Sequence, residues 1–431
     1  MSTLMTLGHL PTNGVEMGNA GVVVVLGGGG GVGSIAVKSL LQTSDASTVL
    51  VADFDRGAAE SVVAEVADPR LEAVSVDVSN AKSLDSLLRE ASVVLNCVGP
   101  FYKFGPPTLA AAIRSGVNYV DICDDLDATK RLLDLDGAAR DAGTTALIGM
   151  GNSPGLANLF VKICSEWFLD EVHSAEIMHI HGGEPDEGAG VLKHRIHAMT
   201  NDVPVFVDGQ MSQVRMLDDS GRPFITDEDF PNVGRSPVFP YPHPETITLP
   251  TVFPTLKRVT NQGAVFPLPY FELTQDLVRA GMASEECLNV GGASVAPIDV
   301  MVSLLQRRRK SMLADADISG PSGCLKVVVS GESGGQTHRY EIALSSKSEG
   351  AGEGTGIPAA LGTILMLRGE LEGGPGVHPP ESIVPVESLL GMAATVASGV
   401  GVQSGGLPIT LTHISPSGER EEIPFALGGD S

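Results

Sequence analysis

The sequence predicts an α/β chain, with a doubly wound parallel sheet followed by a second, α+β domain. Three observations predict it. Short apolar runs and helical segments alternate six times between Gly21 and Ile148. A run of five glycines, Gly27 to Gly31, lies between the first apolar run and the first helix. Beyond residue 153 the rhythm changes to period-two strands, Pro-rich turns and scattered helices.

Residues 1–20 are rich in Gly, Thr and Met without a period and read as a loose arm. "GVVVVL" (21–26) is apolar throughout, as a strand buried on both faces must be. "SIAVKSLLQT" (34–43) sets Ile35, Leu40 and Leu41 at helical offsets. Thr48–Ala52 is a second strand, ending at Asp53, and Gly57–Val66 a helix. Leu71–Val78 is the third strand, Ala81–Glu90 helix, Val93–Val98 the fourth strand and Pro106–Ser115 helix. Val117–Ile122 is the fifth strand, Leu126–Ala142 one longer helix and Thr145–Ile148 the sixth strand. Right-handed βαβ units repeated in this way build one parallel sheet. Ser153 is a good N-cap and Pro154 a good first helical residue, so a helix is expected to start there. Glu171–His181 alternates as a strand, and residues 201–270 are rich in Pro and turn residues. Cys324–Ser330 and Thr337–Leu344 form a hairpin around "GESGGQ". Residues 345–356 read as a Gly/Ser-rich connection, Ile357–Gly369 as a helix, and "PITLTHISPSGEREEIPF" (408–425) as a last hairpin.

The balance of 28 basic and 52 acidic residues gives a net charge of −24. Nucleic acid and anionic membranes recruit Lys and Arg, so neither is an expected partner. The five cysteines are odd in number, widely spaced and without a CxxC pair. That argues against a disulfide framework or a zinc knuckle and for a reducing compartment. No basic and apolar leader opens the chain, and no apolar run nears the roughly 20 residues that span a bilayer. A cytoplasmic protein is expected.

The glycine run stands where a strand feeds a helix. In that setting its backbone cradles a dinucleotide pyrophosphate, because the free N–H groups and the dipole of the helix favour negative charge. Gly28-x-Gly30-x-x-Gly33 fits the dinucleotide fingerprint, with Gly31 and Val32 between. Gly27-x-x-x-Gly31-x-Gly33, the short-chain reductase spacing, fits as well. Asp53 ends the second strand 20 residues after Gly33, where a carboxylate accepts the ribose hydroxyls. It repels a 2′-phosphate, which favours NAD, while nearby Arg56 keeps NADP open. Phe54 follows Asp53. Asp77 and Val78 end the third strand at the adenine side, and "CVGP" (97–100) ends the fourth at the ligand-binding edge.

"GGGGVGS" (28–34), "NCVGPFYKFG" (96–105), "GVNYVDICDD" (116–125) and "GMGNSPGLAN" (149–158) resemble the saccharopine dehydrogenase-like family. "HGGEPDEGAG" (181–190), "GTGIPAALGTILMLRGEL" and "GVHPPE" (376–381) are similar to its second-domain turn and closing segment. The resemblance runs from about Gly21 to Leu390, and residues 201–320 match nothing in it. It implies a Rossmann domain (21–153), a substrate and dimerisation domain (154–350) inserted before a segment (351–431) that returns to the first, and a homodimer. It implies that Gly28, Gly30, Gly31, Val32 and Gly33 hold the pyrophosphate and Asp53 the ribose. Asp77, Val78, Cys97, Val98, Gly99 and Pro100 then line the path from adenosine to nicotinamide ribose.

The resemblance also implies hydride transfer between a nicotinamide and the carbon of a C–N bond in an amino acid, opine or polyamine. The amine must be neutral when the hydride leaves, which calls for a general base. Lys103, in "PFYKFG", is the first candidate, since buried lysines lose their proton readily. Tyr102 beside it walls the cofactor and substrate or carries the proton. "HIHGGEPDEGAGVLKHRIHAM" (179–199) supplies the rest. Helical spacing pairs His194 with His197 and Lys193 with His197. His194 is the second catalytic candidate, and His181, Lys193 and His197 are expected to bind substrate. H-x-H with H-x-x-H also has zinc-ligand spacing, but the family uses no metal and none is expected. Glu184, Asp186 and Glu187 read as a solvated turn and "RRRK" (307–310) as a solvated helix end. A transferase that recycles NAD, like homospermidine synthase, and a non-catalytic NAD-binding protein are the alternative readings.

Overall fold

The computed structural model describes residues 21–346, 351–400 and 409–424. The expected arm at 1–20 lies outside them. The first domain runs β1 (Gly21–Leu26), α1 (Gly31–Leu40), β2 (Ala46–Asp53), α2 (Arg56–Val66), β3 (Leu71–Ser75) and α3 (Ala81–Leu88). It continues with β4 (Val93–Asn96), α4 (Phe101–Ser115), β5 (Asn118–Asp121), α5 (Leu126–Leu133), α6 (Asp136–Ala142) and β6 (Thr145–Leu147). All six strands are parallel, in the order 6-5-4-1-2-3. The order reverses between β1 and β4, so the carboxyl ends of these two strands open the crevice where such sheets bind ligands.

Val23, Val24, Val25 and Leu26 are fully buried. Each contributes about 1.5–3 kcal/mol relative to an exposed side chain. α4 starts five residues before the expected Pro106 and carries Pro106 and Pro107 inside it. The prolines cannot donate back along the helix, and the Tyr102 carbonyl accepts from the Arg131 guanidinium instead (3.2 Å). The single helix expected at 126–142 is two. Its second half is anchored where the Asp136 carboxylate accepts the Val377 N–H (3.0 Å).

α7 (Leu156–Trp167) leads into the second domain. It begins after Ser153 and Pro154, with Gly155 at the cap and at a φ of 121°. The expected Ser153 cap is absent because that hydroxyl is used elsewhere, as shown below. Next come β7 (Glu171–Gly182), α8 (Ala189–Thr200), β8 (Val203–Val207), β9 (Gln210–Val214), β10 (Thr226–Phe230), β11 (Gly234–Pro240), α9 (Glu245–Val252) and β12 (Arg258–Phe266). α10 (Leu268–Arg279), β13 (Leu288–Val290), β14 (Ala293–Val295), α11 (Pro297–Asp315) and the expected hairpin, β15 (Ser322–Ser333) with β16 (Gln336–Ser346), follow. β7 is central in the larger mixed sheet, parallel to β12 and antiparallel to β15.

The end of the chain divides between the domains. α12 (Ala351–Arg368), β17 (Gly376–His378), α13 (Pro380–Ile383) and α14 (Val386–Gly399) come next. β17 pairs with β6 as a seventh parallel strand, and α12 and α14 bury Ile364 and Val396 beside Leu40 of α1. The last hairpin, β18 (Ile409–Ile414) and β19 (Arg420–Ile423), instead extends the second sheet from β16. The return to the first domain is therefore partial. α12 also begins six residues before Ile357, inside the stretch that reads as a connection. Its glycines seat it on α1: a Cβ at Gly356 would stand 2.7 Å from the Val32 carbonyl oxygen.

Candidate active site

A cavity of about 680 Å³ lies between the two domains. Its floor is the glycine turn. A Cβ on Gly33 would stand 2.1 Å from the Gly27 carbonyl oxygen, so only glycine lets α1 pack there. A Cβ on Gly31 would meet nothing within 4 Å, and Gly30, the N-cap, makes no side-chain cap bond. The first N–H groups of α1 thus face open space, as an anion site requires. Gly27 takes the left-handed turn position at φ 74°. The Asp53 carboxylate accepts from the Gly29 N–H and the Asp55 N–H, each at 3.0 Å, which fixes it beside the turn. Arg56 is drawn to Glu60 (2.7 Å). These residues fit a dinucleotide: an uncapped helix for the pyrophosphate and an oriented carboxylate for the ribose.

The other cofactor residues divide by position. Cys97, Gly99 and Pro100 line the cavity with Gly30, Gly31 and Val32. Gly28, Asp53, Phe54, Asp77, Val78 and Val98 do not. Phe54 is 78% exposed, and Asp77 is spent on the N–H (2.9 Å) and hydroxyl (2.6 Å) of Ser79. Burial, and then the charge of Asp121, push the Cys97 thiol up to about 12, so it serves as an apolar wall.

The loop after β5 carries the first reactive group. Asp121 is fully buried and accepts from the Tyr119 hydroxyl (2.9 Å), Cys123 N–H (3.0 Å) and Gly149 N–H (2.7 Å). It pins the loops after β5 and β6 together and so places Asp124 and Asp125. His194 of α8 meets both: Nδ1 is 2.7 Å from Asp125 and Nε2 is 3.3 Å from Asp124. Burial disfavours the charged ring, but the two carboxylates outweigh it and lift its pKa to about 9. Burial raises Asp124; at Asp125 burial is outweighed by the charge and hydrogen bond of His194 together with the Tyr102 N–H, which lower it.

Of the remaining predicted residues one lies in the cavity and the others outside its lining. His181 lines the cavity, and burial, followed by the charge of Arg195, keeps it neutral. His197 pairs with Asp127 (3.3 Å) and stacks on Tyr102 (4.0 Å between centroids), outside the cavity lining. Lys193 pairs with Asp299 (2.8 Å), so the helical spacing brings neither Lys193 nor His194 onto His197. Lys103 does not line the cavity. Its ammonium pairs with Glu285 (3.0 Å), and its side chain is 42% exposed.

Two charged stretches that read as solvated are in part buried. Arg195, 2% exposed, forms a bidentate pair with Glu187 (2.6 and 3.3 Å), which also accepts from the Tyr270 hydroxyl (2.7 Å). Burial raises Glu187, and Arg195 more than reverses it, to about 2. Arg309 of the RRRK run is fully buried, donates to the Glu184 (3.0 Å) and Phe266 (3.1 Å) carbonyls, and lies over Tyr270 (4.6 Å). Only Glu184, Asp186 and Glu187 of these charges line the cavity along with Arg195.

Sequence reading missed Asp124, Asp125, Arg195, Ser153, Tyr241, His243 and Glu245. Two acids directly after the fifth strand were the available signal, since that edge of the sheet is where ligands bind. For His243 and Glu245 it was a pair of titratable residues in "YPHPE", set among prolines.

Residues 23–147 match the family model described as the saccharopine dehydrogenase NADP binding domain. Carboxyaminopropylagmatine dehydrogenase of Synechocystis sp. is 24% identical over 369 residues, 80% of this chain and 89% of that protein. Carboxynorspermidine synthase of Vibrio cholerae is 24% identical over 405 residues, 83% of this chain and 91% of that protein. The structure of saccharopine dehydrogenase (L-Glu forming) from Saccharomyces cerevisiae shares the fold, with a TM-score of 0.62 at 17% identity, covering 92% of this chain and all of the other. The chain is therefore similar to saccharopine dehydrogenase-like proteins, and residues 23–147 are the part that matches their NADP binding domain.

Proposed function

We propose that this chain is an NAD(P)-dependent oxidoreductase that moves a hydride between nicotinamide and the carbon of a C–N bond. Its substrate is an amino acid, opine or polyamine, in keeping with the printed activities of its relatives. One observation carries the reading: the uncapped start of α1 and the Asp124–His194–Asp125 group open into the same cavity. A bound nicotinamide supplies the hydride acceptor or donor. The protein's residues do the remainder. The N–H groups of Gly31 and Val32, at the start of α1, hold the pyrophosphate, and Asp53 selects the ribose of NAD over the 2′-phosphate of NADP.

The carboxylates of Asp124 and Asp125 draw in a cationic amine. His194 remains charged between them and supplies the proton that an imine nitrogen needs in the reducing direction. Arg195, with N–H groups beyond those given to Glu187, orients a substrate carboxylate, beside neutral His181. Tyr102, Lys193 and His197 act from behind by fastening α8 to its neighbours. A homodimer in the cytosol completes the reading, and the five free thiols suit that compartment.

Calorimetry with NADH and NADPH, followed by absorbance at the reduced-nicotinamide band with lysine, opines and polyamine precursors, tests it. Binding and turnover of at least one amine are expected. Failure of both nucleotides to bind would overturn the reading.

A further inference from the structure

A second polar cluster lines the same cavity, beside Asp124 and His194. It is built on the segment between β11 and α9, and the reaction as described so far makes no use of it. At its root is Glu245, fully buried at the first turn of α9. Glu245 Oε1 accepts from the Ser153 hydroxyl and from the Asn261 side-chain amide (3.2 Å). A hydroxyl that has given its hydrogen to a carboxylate can only accept from its next neighbour. That neighbour is His243 Nδ1, 3.3 Å from the Ser153 oxygen. His243 must therefore carry a proton on Nδ1, and in the neutral ring Nε2 is then the acceptor.

The same carboxylate sets the next ring. Asn261 donates its amide N–H to Glu245, so its oxygen faces His179 Nε2 (3.2 Å) and accepts from it. His179 lies parallel to His243, at 4.8 Å between centroids and 10° between planes, and Tyr241 abuts both rings edge-on. Gly263 leaves the room that His179 needs: a Cβ there would stand 2.1 Å from the ring. His243 is thus held by Ser153, His179 and Tyr241, and it lines the cavity. There one of its ring nitrogens lies within 4.8 Å of Asp124 and His194.

We propose that His243 is the proton acceptor of this site, held as the Nδ1–H tautomer by Ser153 and Glu245. The assignment rests on the dehydrogenase reading above. His194 cannot take this part, because between its two carboxylates the ring already holds two protons and is a donor only. Lys103 lies outside the cavity. In the step, an N–H bond of the substrate ammonium breaks and its electron pair stays on the substrate nitrogen. The proton forms a new bond to His243 Nε2. The ring becomes an imidazolium whose charge faces Asp124, and the freed lone pair allows hydride to leave the adjacent carbon. An orienting group behind a base, with the base aimed at the reacting atom, is the general pattern of such sites. Ser153 and Glu245 are positioning residues.

The test uses the full chain with 15N-labelled histidine. Long-range 15N–1H spectra, with His243 assigned by its absence in His243→Gln, are expected to show the Nδ1–H tautomer. His243→Gln is expected to bind nucleotide as the unsubstituted protein does and to lose turnover by about 10²–10⁴-fold, with the acidic limb of the pH profile. Ser153→Ala is expected to shift that limb, and Ser153→Thr, which keeps the hydroxyl, to restore it. An Nε2–H tautomer, or unchanged turnover in His243→Gln, would overturn the proposal. If nucleotide binds and no amine reacts, the dehydrogenase reading fails. The tautomer spectrum, which needs no substrate, separates that failure from one of His243.

Discussion

His194 and Asp125 meet across 69 residues of sequence, Nδ1 to carboxylate oxygen at 2.7 Å. The contact ties α8 of the second domain to the β5–α5 loop of the first. The folded ring has a pKa near 9 against 6.5 for the free side chain. A pKa raised by folding contributes stability that is fully present below pH 6.5 and is lost as pH rises through about 9. The unfolding free energy of the unsubstituted protein should exceed that of His194→Gln by about 3 kcal/mol below pH 6.5, and the two should converge near pH 10. Denaturant titrations across pH check this, and a difference independent of pH would dismiss the ion pair.

The glycine turn separates folding from binding. Gly31→Ala, with open space at its Cβ, should keep its melting temperature and weaken nucleotide binding about tenfold or more, a loss of at least ~1.4 kcal/mol. Gly33→Ala collides with the Gly27 carbonyl and should lose both stability and binding. Calorimetry and thermal melts on the two variants distinguish the roles.

Asp53 should set the choice of nucleotide. Removing the carboxylate in Asp53→Ala takes away the acceptor for the ribose hydroxyls and the repulsion of a 2′-phosphate together. The ratio of NAD to NADP affinity is expected to fall on the order of tenfold or more, about 1.4 kcal/mol. Competitive titration measures it, and an unchanged ratio would move the ribose site elsewhere.

Lys103→Ala should leave turnover within about twofold and stability within about 1 kcal/mol, since exposed ion pairs contribute little. Steady-state kinetics decides between this expectation and a catalytic lysine.

The first domain was legible because its signals are local. The buried run Gly21–Leu26, the glycine turn and Asp53 each follow from neighbours in sequence. The active-site wall was not, because its logic is long-range. Nothing near Ser153 indicates that its hydroxyl serves Glu245, 92 residues away, instead of capping α7. Arg309 sits among charges that do face water, and only tertiary packing takes it to full burial over Tyr270. The glycines at 352, 354 and 356 have the composition of a linker. They lie in a helix, and Gly352 and Gly356 face α1, which comes so close at Gly356 that a Cβ there would stand 2.7 Å from the Val32 carbonyl oxygen. Composition alone cannot tell flexibility from tight packing.

The partial return of the chain end bears on inheritance and engineering. The nucleotide-binding half is not one uninterrupted stretch of the gene, since β17, α12 and α14 complete it from beyond the second domain. A chimera that exchanged residues 21–153 alone would part the apolar face of α1 from the helices that cover it and β6 from its outer neighbour, β17. Recombination that preserves this enzyme must carry residues 351–399 along with the first 153, and the final hairpin must stay with the recipient.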